Sequence, residues 1–140
     1  MTSSDRDWPL TPYARSLGIR YAEESTAQSR LLMVDFDVGV EGRPEHLHGG
    51  AISGLLETAA YVTLSKALLE EGREARMKPI NLTVQFLTSG KRKASYAEAR
   101  ITKLGRRTAN LTIEAWQDDR TRPIASAVMN VFLAEQSSDA

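Results

Sequence analysis

Residues 43–69 read RPEHLHGGAISGLLETAAYVTLSKALL, and the architecture of the whole chain depends on how this stretch is placed. It opens with a proline, two histidines and paired glycines, then continues as an almost wholly apolar run interrupted by one carboxylate, Glu57. The pattern predicts a helix of about 20 residues that starts at Gly49 or Gly50 and stops near Gly72. In a short chain such a helix is expected to form the middle of the core. A carboxylate buried there without a partner costs several kcal/mol or titrates at a raised pH. The neighbours of Glu57 at helical spacing are Ser53, Gly54, Ala60 and Tyr61, none of them basic. Lys66, the only base in the run, falls nearly on the opposite side at ~100° per residue. The reason for Glu57 must therefore lie outside the helix, in an arginine across a seam or in chemistry.

The helix start favours chemistry. His48-Gly49-Gly50 places unobstructed backbone N–H groups at the positive end of the helix dipole, where a developing oxyanion is stabilised. Glu57 lies roughly 12 Å further along the axis, too far to reach the same reacting atom from one helix. Two antiparallel copies of the helix bring the acid of one near the glycines of the other.

Composition narrows the classes. The 140 residues suit one domain with a real core. Eighteen basic residues balance eighteen acidic ones, which gives no bulk attraction to nucleic acid or to an anionic membrane. The absence of cysteine removes disulfides, thiolate metal sites and cysteine nucleophiles together. The polar start MTSSDRDWPL resembles neither a secretory signal nor a transit peptide, and the long helix carries too many polar groups to span a bilayer. A cytoplasmic enzyme is the expectation.

Along the chain, residues 1–9 read as a flexible lead, 10–134 as one domain, and 135–140 as a flexible tail. Thr11, Pro12 and Gly18 mark a short helix by cap, first turn and stop, with a packing role. Strand patterns cover 19–24 and 30–38 before the helix, then 79–88, 94–104, 107–117 and 123–133 after it, with EEGREARMK as a charged connection. The expected core faces include Leu32, Val34, Phe36 and Val38; Leu82, Val84 and Phe86; Leu111, Ile113 and Ala115; and Ile124, Ser126, Val128, Asn130 and Phe132. Two strands, one long apolar helix and four meandering strands predict an antiparallel α+β sheet wrapped around a central helix.

The segment HGGAISGLLETAA resembles the signature of the hotdog-fold acyl-CoA thioesterases of the PaaI type, with an acid nine residues after the histidine. The resemblance runs from about Leu10 to Leu133 and implies the hotdog fold. It also implies that the Gly49 N–H polarises a thioester carbonyl and that Glu57 acts across a dimer interface as base or nucleophile. His48 then orients the helix start, and Gly50, His46 and Tyr61 join the substrate site. One departure stands out: many members carry Asn or Gln six residues before the histidine, and this chain has Gly42. The polar role is then vacant, moved to Glu41, Glu45 or His46, or lost.

Arg106 and Arg107 follow Gly105 in a hairpin, where solvent exposure is the default; the resemblance makes them candidates for the phosphates of coenzyme A. Asn81 and Thr83 are candidates for orienting water. His46 and His48 lack a third His or Cys, so no metal site is expected, and no cofactor is implied beyond coenzyme A as part of the substrate. The expected partners are an acyl-CoA and further copies of the chain, as a homodimer or homotetramer with the site at the subunit interface. The alternatives are a non-catalytic acyl-CoA-binding hotdog domain and an enoyl-CoA hydratase-like activity.

Overall fold

In the computed structural model, which describes residues 7–135, the apolar stretch is a single helix, α2, Gly49–Glu70. It begins where His48 caps it and ends where Gly72 adopts a φ of 68°. Gly72 N–H donates to the Leu69 carbonyl and Arg73 N–H to that of Leu68, which satisfies the last carbonyls in a Schellman motif. A shorter helix, α1 (Pro12–Ser16), is capped by Thr11 Oγ1, which accepts from Ala14 N–H at 3.1 Å. It packs on α2 at Gly54, where a Cβ would meet Leu17 Cδ1 at 2.7 Å.

Six strands form one antiparallel sheet: β1 (Arg20–Tyr21), β2 (Leu32–Val34), β3 (Ala75–Phe86), β4 (Ser95–Leu104), β5 (Thr108–Trp116) and β6 (Ala125–Glu135). Their order is β1-β2-β4-β5-β6-β3, and α2 packs against β2 through β6. This is the expected hotdog arrangement, an α+β fold in which helix and sheet bury one another's apolar surface. Leu55, Leu56, Val62 and Leu64 of the helix meet Leu111, Ile113 and Leu133 of the sheet, all 1 % exposed or less.

Several expectations shift. Strand β3 starts at Ala75, inside the stretch read as a connection, because Arg76 and Lys78 alternate with Ala75 and Met77 at strand period. Strand β2 stops at Val34. Asp37 then accepts from Gly39 N–H and caps a 3-10 turn at Val38–Val40, which leaves Val38 85 % exposed instead of on the core face. In β6 the core face is Ala125, Ala127, Met129, Val131 and Leu133, opposite to the expected set. The alternate face carries Ser126 and Asn130, whose polar groups have no place under an apolar helix.

The segment expected to be a flexible lead is tied down from Asp7 onward. Asp7 pairs with the buried Arg30 at 2.8 Å, and the Trp8 carbonyl accepts from the Tyr21 hydroxyl at 2.7 Å. Residues 1–6 and 136–140 lie outside the described part, as does most of the expected tail.

Candidate active site

Helix α2 presents two places where chemistry is possible, one near each of its first two features. At the N-terminus, His48 Nδ1 accepts from Gly50 N–H at 2.8 Å. That bond fixes the His48 tautomer with its proton on Nε2, and it occupies the Gly50 donor. The Gly49 N–H remains for a ligand, beside a cavity of about 400 Å³ bounded by His46, His48, Phe86 and Thr88. The Phe86 ring stands 3.3 Å from where a Gly49 Cβ would be, so a glycine here lets the aromatic wall close on the helix start. His46, which also lines this cavity, donates from Nδ1 to the Pro44 carbonyl at 2.9 Å.

Gly42 is held against this start. Its N–H donates to the His46 carbonyl at 2.8 Å, and a Cβ on it would lie 3.0 Å from His48 Cα. A larger side chain at this position has no room while the loop keeps its shape. Of the substitutes named from sequence, Glu41 accepts from Glu45 N–H at 2.7 Å and Glu45 pairs with Arg92 at 3.4 Å. Of the three, only His46 lines the cavity beside the Gly49 donor.

Two turns along α2, Glu57 is exposed rather than central to the core. No ion pair or hydrogen bond to it exists among the described residues. Lys66 turns to Glu70 instead, at 3.9 Å. The carboxylate fronts a mainly apolar cavity of about 120 Å³ between α2, α1 and the inner face of β3 and β6, bounded by Tyr13, Tyr61, Leu64, Met77 and Met129. Tyr61 lines it, with its hydroxyl accepting from Trp8 Nε1 at 3.1 Å. Glu57 and Gly49 line different cavities of one chain, as the helical rise requires.

The remaining candidates fall elsewhere. Asn81 and Thr83 face away from the helix: Asn81 pairs with Asn130 and Thr83 with Val128 on the outer face of the sheet. A bulge at Ile80 causes this. Met77 and Pro79 point inward, the extra residue shifts the phase by one, and Leu82, Val84 and Phe86 point inward after it. Asn81 accepts instead from Asn130 Nδ2 at 2.9 Å, and Asn130 from Asn110, in a ladder across three strands that sequence reading did not find. Arg106 and Arg107 are exposed in the β4–β5 turn, which Arg73, just past the C-terminus of α2, binds through the Gly105 and Arg106 carbonyls. Within one chain they lie at the far end of the helix from Gly49. Trp8 and Met77 were also missed: a lone tryptophan in a polar lead and a methionine in a charged stretch carry no local signal of a cavity wall. Among the described residues no three His, Asp or Glu side chains gather as a metal set, and no helix is long and apolar enough to cross a membrane.

A family model described as the thioesterase superfamily matches residues 45–124. Among solved structures, a protein from Chromobacterium violaceum is 33 % identical over 89 % of this chain and 84 % of that one, with a TM-score of 0.67. The phenylacetic acid degradation protein PaaI from Thermus thermophilus, in a mutant form, shares the fold at 15 % identity, covering 87 % of this chain and 98 % of that one with a TM-score of 0.73. A mutant thioesterase from Staphylococcus aureus shares it at 21 % identity, covering 89 % and 99 % with a TM-score of 0.73. No curated protein matches the sequence significantly. With the family match running from the loop before α2 through β5, and a relative one-third identical along nearly the whole chain, this protein belongs to the thioesterase superfamily.

Proposed function

We propose that this protein hydrolyses acyl-CoA thioesters, with Glu57 of one subunit and Gly49 of a second copy completing each site. The observation that carries the reading is Glu57 itself: an unpaired carboxylate at the mouth of an apolar cavity, on the helix whose N-terminus offers a backbone N–H. As general base, Glu57 takes a proton from water while the water oxygen bonds to the thioester carbonyl carbon. The carbonyl oxygen becomes an oxyanion held by the Gly49 N–H, and collapse of the tetrahedral intermediate breaks the C–S bond. Coenzyme A leaves as thiolate and takes up a proton, and the free acid remains. In the nucleophilic variant the carboxylate attacks directly and water then splits the resulting anhydride. Arg106 and Arg107 serve the phosphates of coenzyme A from a neighbouring subunit, and no further cofactor is required.

The edge strand β3 supports an assembly of copies. The strand is 12 residues long, pairs with β6 alone, and carries Ile80 and Phe86, each more than half exposed. A long apolar edge of this kind pairs with another strand or aggregates. An antiparallel two-fold pairing would lay the two α2 helices head to tail, as the shared site needs.

A non-catalytic acyl-CoA-binding role has one observation in its favour, the absence of any side chain at Gly42. Steady-state assays with a panel of acyl-CoAs separate the two. Under the hydrolase reading Glu57→Gln lowers kcat/KM by about 10²–10⁴ and leaves acyl-CoA binding within a few fold. Tight binding with no thiol release from the unaltered protein would establish the binding role instead.

A further inference from the structure

The cavity fronted by Glu57 does not continue along the helix, although space for it to do so exists. One turn further, beside Ser65 and Leu68, lies a second cavity of about 290 Å³, also largely apolar. Met77 lines both. Tyr61 belongs to the first and Trp8 to the second, and the 3.1 Å bond between Trp8 Nε1 and the Tyr61 hydroxyl ties the two rings together at the boundary. The wall is held from both sides. Ser65 Oγ donates to Met77 Sδ at 3.8 Å, and the Tyr21 hydroxyl holds the Trp8 carbonyl while Asp7 is pinned by Arg30.

Resting on the hydrolase reading of Glu57, we infer that Trp8, Tyr61 and Met77 form a partition that limits the substrate to short acyl chains. A chamber of about 120 Å³ takes about five carbons, on the scale at which a ~150 Å³ cavity holds benzene. Longer chains meet the partition, and removing a wall residue joins the chambers. These are positioning and specificity residues; none reaches the reacting carbonyl.

The experiment compares butanoyl-, hexanoyl-, octanoyl- and dodecanoyl-CoA with the full chain and with Met77→Ala, Trp8→Ala and Trp8→Phe. In the unaltered protein kcat/KM falls steeply beyond hexanoyl. In Met77→Ala and Trp8→Ala the ratio of dodecanoyl to butanoyl kcat/KM rises roughly tenfold or more. Trp8→Phe, which loses the hydrogen bond but keeps most of the bulk, falls between them and the unaltered protein. Equal use of butanoyl and dodecanoyl by the unaltered protein, or a ratio unmoved in both alanine variants, overturns the partition while leaving thioester hydrolysis standing. If no acyl-CoA is hydrolysed, the hydrolase reading fails, and calorimetric binding of butanoyl- and dodecanoyl-CoA to the same variants still reads the partition. Chain-length preference that shifts in binding supports it, and preference that does not shift overturns it.

Discussion

At the scale of single residues, the helix start is built by exclusion. Gly42 sits where any β-carbon would press on the His48 backbone, and His48 must stay in place because its Nδ1 caps α2 through Gly50. Gly42→Asn is therefore expected to destabilise the fold by about 1–3 kcal/mol, an overpacking penalty, seen as a lowered melting temperature in calorimetry. An unchanged melting temperature would mean the loop has another conformation of equal energy. Tyr21 provides a pH signature. Burial, then the nearby Asp7 carboxylate, push its phenol from 10.0 up to about 12, partly opposed by Arg30. Since the folded state holds the proton more tightly, this contribution to stability is complete below pH 10 and is lost as pH rises towards 12. Ultraviolet titration of the four tyrosines should show one ionising near pH 12. Tyr21→Phe should remove that step and the matching slope in stability, and retention of the step would assign it to another ring.

At the scale of elements, the bulge at Ile80 decides which residues of β3 can reach the helix. Before it Met77 and Pro79 face inward, and after it Leu82, Val84 and Phe86 do. Deletion of Ile80 would restore simple alternation and send those three outward, with Asn81 and Thr83 turned under α2. Leu82 and Val84 lose their partial burial, about 1 kcal/mol or more each, and Asn81 and Thr83 bring unpaired polar groups under an apolar helix, together a large part of the stability of an ordinary domain. The expected outcome is loss of cooperative thermal unfolding, whereas Ile80→Ala, which keeps the phase, should remain folded. A deletion variant with a native-like transition would show that β3 can slide in register against β6.

At the scale of the whole molecule, the question is whether the site is shared. Gly49 is the first residue of α2, a position that tolerates proline; Gly49→Pro removes the N–H and also sets a ring against Phe86, which stands 3.3 Å from a Cβ there. Glu57→Gln and Gly49→Pro subunits, each inactive alone, should recover about a quarter of the unaltered activity when unfolded and refolded together in equal amounts. Half of randomly formed dimers are then hybrids, and each hybrid has one intact site of two. No recovery, with hybrids shown to form by size and mass, would end the shared-site proposal.

The helix and its stop, the strand count and the antiparallel architecture were legible along the chain, because they follow from periodicity and from local turn chemistry. Gly72 as the stop was readable for that reason, and so was the isolation of Glu57 from bases on its own helix. Long-range packing set which face of β6 lies under α2, turned Asn81 and Thr83 outward through the bulge, and left Glu57 opening on a cavity instead of lying in the core. The same packing brought Trp8 to Tyr61, fifty-three residues apart in the chain. Such outcomes rest on the phase of one strand against another and on packing between distant segments. Those are fixed by the shared burial of surfaces that no local stretch of sequence contains.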